Sequence, residues 1–297
     1  MLYDIRLKLD YEYPSPVAGG RHLIRVMPLD QPGTQRVIAA RVALDPVPEE
    51  RRDWVDFFGN RVTTALFREA HDHLFISLSA RVLVTKAARV LDMSPDIATL
   101  QQEIEASLEL DALSPQHYLS ASPRIALDPD ITEYAAASLK SGITVWALAD
   151  ALCRRIHDDF EYDPEATDVG TSPREAFTLK RGVCQDFSHV MIAGLRGIGV
   201  PAGYVSGFLR TIPPPGTERL EGADAMHAWV RVWCGRDIGW CEFDPTNACT
   251  AGDDHITVGY GRDYSDISPI VGVLKGFGSH GSSHSVDVIP IEEKVRA

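Results

Sequence analysis

"RGVCQDFSHVMIAGLRGIGVP", residues 181–201, holds the pattern that decides the fold of the central part of the chain. Counted from Cys184, the apolar or small residues at 187, 190, 191, 194, 195 and 198 recur at the spacing of one helix face, which predicts a buried helix. Gly199 suits the left-handed C-cap position and Pro201 cannot continue a helix. A cysteine in the first turn lies where unpaired N–H groups and the helix dipole favour a thiolate.

A lone cysteine in a helix is more often a small buried residue than a nucleophile, so position alone does not decide its role. A second stretch, "MHAWVRVWCGRDIGWCEFDPTN" (226–247), contains two strand-like runs joined by a turn. A tight hairpin that pairs residue 233 with residue 238 would place His227 directly opposite Asp244 on one face. The carboxylate could then hold the imidazole in one tautomer while its other nitrogen faces a thiol. A register error of one residue would separate them.

The N-terminal part of the chain alternates in the manner of strands. Tyr3, Ile5, Leu7 and Leu9 alternate with charged residues, and "DFFGNRV" (56–62) reads as a turn between further strand-like runs. We expect an antiparallel β-sandwich over residues 1–93. From residue 94 helical spacing dominates, with Ser94 and Asp130 as expected caps of the first two helices.

The expected fold class is therefore α+β, with a β-sandwich domain at residues 1–93 and a catalytic domain at 94–297. In the second domain, helices would pack on an antiparallel sheet whose strands begin after the Cys184 helix. The Pro-containing stretch 114–130 interrupts the helical region, because each proline blocks a helix from running through it.

Composition narrows the classes of partner and compartment. A net charge of -13 over 297 residues argues against a phosphate-binding surface, so no nucleic acid is expected. No segment approaches the ~18 apolar residues of a membrane helix, and the N-terminus lacks a secretory pattern. Five cysteines, an odd number, favour reduced thiols in the cytoplasm. A zinc site is disfavoured because the spacings of Cys234, Cys241, Cys249 and His255 are not those of structural zinc ligands.

The stretches around Cys184, His227 and Asp244 resemble the three motif blocks of the bacterial transglutaminase-like superfamily, whose core resembles the papain fold. "YPSPVAGGRHLIRVMP" (13–28) and "DFFGNRV" resemble the β-rich N-terminal domain that often precedes this core. The resemblance implies a papain-like core in which Cys184 is the nucleophile, His227 the general base and acid, and Asp244 the residue that orients the imidazole.

The resemblance also implies a thioester, formed from an amide or ester and resolved by water or by an amine. We expect hydrolysis of amide or peptide bonds in a peptide or protein substrate, without metal or organic cofactor. The alternatives are acyl transfer to an amine and a non-catalytic protein that binds peptides. The backbone N–H of Cys184 and the side chain of Tyr162 are the candidate oxyanion donors. The sequence does not indicate the identity of the substrate or the oligomeric state.

Overall fold

The structure, a computed structural model, describes residues 1–85, 91–212, 222, 224–275 and 281–291. An antiparallel sheet built largely from the N-terminal region precedes helices that pack with a second antiparallel sheet, which confirms the α+β class. Within the described residues no helix has both the length and the apolar character needed to cross a bilayer.

The elements alternate along the chain as follows. The strands are β1 (Leu2–Ile24), β2 (Gln35–Asp45), β3 (Glu50–Val55), β4 (Arg61–Phe67), β5 (His71–Val84), β6 (Glu161–Tyr162), β7 (Arg181–Gly182), β8 (Ala202–Leu209), β9 (Ala225–Trp233), β10 (Trp240–Asp244), β11 (Cys249–Thr250), β12 (His255–Gly261), β13 (Ile270–Lys275) and β14 (Gly281–Ile291). The helices are α1 (Ile97–Ala106), α2 (Pro129–Ala136), α3 (Val145–Asp159), α4 (Pro173–Leu179), α5 (Cys184–Gly197) and α6 (Tyr264–Ile267), with a 3-10 helix at Pro115–Tyr118.

The first sheet is organised by β1. Residues 2–12 of β1 pair with β5 on one side and β14 on the other, whereas residues 20–24 pair with β4 and β13. Because one strand passes through both halves, the described strands form a single curled sheet rather than two packed sheets, and the expected β-sandwich is wrong in this respect. The alternation in β1 is confirmed, since Tyr3, Ile5, Leu7 and Leu9 are all buried.

Two strands from the far end of the chain complete this sheet. β13 and β14 both pair antiparallel with β1, so residues 270–275 and 281–291 lie beside the N-terminal strands. The division of the chain near residues 93 and 94 stays a prediction. The first sheet nevertheless depends on residues well beyond that point.

The second sheet has the order β11-β10-β9-β8-β12 and is antiparallel throughout. Helix α5 packs against β8 and β9, and helices α2, α3 and α4 pack around it. Val190, Met191 and Leu195 of its predicted apolar face are buried in this core. Residues of β8 and β12 also join the buried cluster of the first sheet, so the second sheet is held between two apolar layers.

The first two helix caps differ from the sequence prediction. Asp96, not Ser94, caps α1 by accepting the N–H of Thr99 at 2.9 Å, and Asp128, not Asp130, caps α2. Ser94 instead accepts the N–H of Trp146 in the first turn of α3. Ser and Asp are almost equally good N-caps, so sequence alone could not choose between positions two residues apart.

The turn predicted at residues 56–62 is confirmed, and it fastens the two sheets together. Gly59 has a φ of +86°, in the left-handed region that favours glycine. The side-chain amide of Asn60 accepts the backbone N–H of Tyr260 at 2.8 Å and donates to the Tyr260 carbonyl at 2.7 Å. This pair of bonds ties the turn to strand β12.

A histidine buried in the first sheet should make the protein sensitive to acid. His22 is 2% exposed, and within the described chain neither ring nitrogen has a hydrogen-bond partner. Burial, with a smaller contribution from His71, lowers the pKa of His22 to about 4. An unfolded histidine ionises near ~6.5, so between these two values the unfolded state binds more protons and the free energy of unfolding falls as pH falls.

Urea unfolding of the His22→Leu variant at several pH values measures this contribution. The slope of unfolding free energy against pH, between 6.5 and 4, should decrease by up to ~1.4 kcal/mol per pH unit relative to the unaltered protein. Replacing the exposed His284 with leucine serves as the matched control. An unchanged slope in His22→Leu would show that other groups cause the acid sensitivity.

Candidate active site

The backbone before α5 is shaped to present Cys184 in the first helical turn. Gly182 has a φ of +151°, and a Cβ at this position would overlap the carboxylate of Asp186. That carboxylate accepts the N–H of Val183 at 2.9 Å and the hydroxyl of Thr167 at 2.7 Å, so it caps the helix and anchors the preceding loop. Burial raises the pKa of Asp186.

His227 is held between Asp244 and Cys184. Its Nε2 lies 2.7 Å from Oδ2 of Asp244, and both side chains are buried. The side chain of Cys184 hydrogen-bonds the same imidazole. Because Nε2 is occupied by the carboxylate, Nδ1 is the nitrogen left to face the sulfur. The structure therefore brings together the three residues predicted as a triad.

The electrostatics of the three groups favour a charged imidazole. Burial favours neutral His227, but hydrogen bonds and negative charge from Asp244 and Cys184 outweigh it and raise the pKa of His227 to about 10. Burial would likewise raise the pKa of the Asp244 carboxyl, yet hydrogen bonds from His227, His255 and Asn247 hold it well below its usual range. Asp244 thus enters the site as a carboxylate that stabilises an imidazolium.

Asp244 is fixed by its own turn. Its Oδ1 accepts the backbone N–H groups of Thr246 at 2.9 Å and Asn247 at 3.2 Å, and its Oδ2 accepts the side-chain amide of Asn247 at 2.7 Å. The ring of His157 on α3 hydrogen-bonds the Thr246 carbonyl at 2.8 Å. The sequence "DPTN" thus encodes an Asx-type turn that leaves the carboxylate little freedom.

The hairpin that brings His227 near Asp244 has a different register from the one predicted. Trp233 pairs with Trp240, not with residue 238, and six residues connect the two strands. Gly235 and Gly239 in this connection both have positive φ, which the prediction of a tighter turn ignored. His227 and Asp244 are therefore diagonal rather than directly opposite. A shift of two residues leaves both side chains on the expected face, which explains why the site survives the error.

Tyr162 lies beside the start of α5. In the parallel pair of β6 and β7, Tyr162 is the partner of Gly182, two residues before Cys184. Its side chain is 57% exposed, and partial burial followed by the charge of Cys184 raises its pKa. The backbone N–H of Cys184 lies in the first turn, where N–H groups lack intrahelical acceptors. The two oxyanion roles stay predictions.

Two residues that contact the triad carboxylate were missed from the sequence. Asn247 follows Asp244 by three positions, and its place in an Asx-type turn was the available signal. His255 lies on β12, and no local pattern links it to Asp244. It was considered only as a zinc ligand together with three cysteines. In the structure its Nε2 lies 3.0 Å from Oδ2 of Asp244.

One group in the described chain has the composition of a metal site. The donor atoms of His227, Asp244 and His255 lie within 4.8 Å of one another. Imidazole nitrogens at 2.7 and 3.0 Å from one carboxylate oxygen have normal hydrogen-bond distances, which accounts for the approach without a cation. Cys234 and Cys241 instead contact each other in the β9–β10 hairpin, so they are not assembled with His255.

Comparison with known proteins agrees with this geometry. Residues 133–245 match the core of the transglutaminase-like superfamily, and residues 3–83 match the bacterial transglutaminase-like N-terminal region. An uncharacterized protein of Mycobacterium tuberculosis (strain H37Rv) is 35% identical over 270 residues, which cover 87% of this chain and 83% of that protein. An uncharacterized protein of Mycobacterium leprae is 30% identical over 277 residues, 91% of each chain.

A solved structure supports the fold. The crystal structure of a "putative cysteine protease" from Cytophaga hutchinsonii superimposes with a TM-score of 0.75 at 22% identity, over 99% of this chain and 92% of that one. It includes the N-terminal sheet as well as the core. The chain therefore belongs to the transglutaminase-like superfamily, as a core domain preceded by the bacterial transglutaminase-like N-terminal region.

Proposed function

We propose that the protein is a cysteine-dependent hydrolase of amide or peptide bonds in peptide or protein substrates. The observation that carries the proposal is the placement of His227, which contacts Cys184 on one side and lies 2.7 Å from the Asp244 carboxylate on the other. A thiol, an imidazole and an orienting carboxylate in this order are what nucleophilic acyl chemistry needs. No step requires a group that this chain lacks.

In the first half of the proposed reaction, the Cys184 thiolate attacks the carbonyl carbon of the substrate. The backbone N–H of Cys184 stabilises the oxyanion, with the phenol of Tyr162 as the second candidate donor. The carbon–sulfur bond forms, and the carbon–nitrogen bond breaks as His227 gives its proton to the leaving amine. The result is a thioester on Cys184 and a neutral imidazole.

In the second half, neutral His227 accepts a proton from water while the water oxygen attacks the thioester carbon. The carbon–sulfur bond breaks, and the thiolate–imidazolium pair is restored. Asp244 remains ionised in both halves, because its carboxylate accepts hydrogen bonds from several donors whichever state His227 adopts. An amine could resolve the same thioester, which is why the acceptor must be determined by experiment.

The acceptor is identified by the isotope and mass of the product. A peptide mixture is incubated with the protein in H₂¹⁸O containing a primary amine, with the Cys184→Ala variant as the control. Hydrolysis predicts new carboxyl termini that carry one ¹⁸O and that are absent from the control. Products heavier by the amine would favour acyl transfer instead. If the protein and the Cys184→Ala control give identical peptides, the hydrolase proposal fails for this substrate class.

A further inference from the structure

We propose that His255 is a positioning residue of the active site, which donates a hydrogen bond to the triad carboxylate. The inference rests on the proposed function, because it assigns a role within the same site. In the structure, Oδ2 of Asp244 lies 2.7 Å from Nε2 of His227 and 3.0 Å from Nε2 of His255. One carboxylate oxygen therefore serves two imidazoles that come from different strands.

The tautomer of His255 follows from its second contact. The backbone N–H of Gly252 lies 3.2 Å from Nδ1 of His255. A backbone N–H only donates, so Nδ1 must accept and carries no proton. The remaining ring proton is then on Nε2, where it points at Asp244. The Gly252 amide thus fixes His255 as a donor to the carboxylate.

Packing holds the His255 ring in this orientation. Its side chain is 8% exposed, and its ring meets the Trp229 ring edge to face with centroids 5.1 Å apart. The indole N–H of Trp229 donates to Glu242 at 2.7 Å, which fixes the tryptophan in turn. Gly207 on the strand between β9 and β12 leaves room for this indole, because a Cβ there would overlap it. The ring of His255 therefore has little freedom to leave Asp244.

The bond from His255 has a defined effect on the triad. It stabilises the charged form of Asp244 and fixes the oxygen that receives the His227 proton donor. His255 makes this contact through Asp244 and is not in contact with the reacting sulfur in any described interaction. It acts on the reaction by keeping Asp244 ionised and His227 correctly rotated.

The experiment compares His255→Phe with His255→Gln. Phenylalanine keeps a ring beside Trp229 but removes the donor, whereas the glutamine amide can donate to Asp244. The readout is the rate of Cys184 alkylation by iodoacetamide as a function of pH, measured on the Cys184 peptide by mass spectrometry. Loss of one donor should move the acid limb of this profile to higher pH by about one unit in His255→Phe. His255→Gln should restore most of the original profile.

A purely structural role predicts a different result, in which both variants lower the melting temperature but the folded protein keeps its pH profile. That outcome, or equal profiles for His255→Phe and the unaltered protein, would overturn the proposal. His73→Phe, an exposed histidine on β5, is the matched control. ¹⁵N NMR gives a readout independent of reactivity, because it should show His255 protonated on Nε2 alone at pH 8. Slow alkylation of the unaltered protein would contradict the proposed function, whereas the NMR tautomer would still decide the His255 bond.

Discussion

Replacing His227 with alanine is expected to slow alkylation of Cys184 by iodoacetamide at least ~10-fold at pH 6, and to reduce amide hydrolysis ~10³-fold or more. The variant loses the imidazolium that stabilises the thiolate and the acid that protonates the leaving amine. The larger effect on hydrolysis follows because alkylation needs only the thiolate, whereas hydrolysis also needs proton transfer in both halves of the reaction.

The alkylation is followed on the peptide that contains Cys184, because four other cysteines are present and all five are free. Cys184→Ser identifies that peptide, and replacement of the exposed His284 with alanine is the control for a histidine outside the site. If His227→Ala retained the alkylation rate of the unaltered protein over pH 5–8, the thiolate would not depend on His227. The chain would then fit a peptide-binding protein better than an enzyme.

Replacing Asp244 with asparagine should lower turnover by about 10²–10⁴-fold while leaving the shape of the site nearly unchanged. The carboxylate is the first of the groups that raise the pKa of His227 to about 10 against the effect of burial. Without it the imidazolium loses a buried counter-charge, so the pKa of His227 should fall by more than one unit. ¹⁵N NMR titration of His227 measures this shift directly.

The same substitution should change how stability depends on pH. In the unaltered protein the raised pKa of His227 stabilises the fold fully below ~6.5, and this contribution is lost as pH rises toward about 10. In Asp244→Asn the contribution is small at every pH. The unfolding free energies of the two proteins should therefore differ most near pH 6 and converge toward pH 10. A difference that grows as the pH rises would contradict this account of the pair.

The sequence was most informative where local patterns coincide with the site. The start of α5 at Cys184 is confirmed, because an amphipathic stripe, a glycine-containing turn before it and Gly199 after it are all local signals. The shared face of His227 and Asp244 also follows from strand alternation alone. These two predictions were sufficient to place the three catalytic candidates together.

The errors arose where the outcome depends on distant parts of the chain. The hairpin between β9 and β10 is two residues longer than predicted, because the conformations of its glycines are set by packing: Gly235 lies against Pro95. The pairing of β13 and β14 with β1 left no signal in the N-terminal region, which therefore read as a sandwich of its own. His255 reaches Asp244 only because β8 and β12 are neighbours, which local spacing does not show.

The pairing of β1 with β14 also constrains the order of events during synthesis. Leu2 pairs with Ile291, so the first strand to leave the ribosome receives one of its two neighbours only when nearly all of the chain has been made. At ~5–20 residues per second, that delay is several tens of seconds or close to it. During this interval one edge of β1 is open to other chains, and Lys8 and Asp10 on that strand carry charges of the kind that discourage such pairing. Newly made protein is thus expected to depend on these charges, or on chaperones, more than the finished fold does.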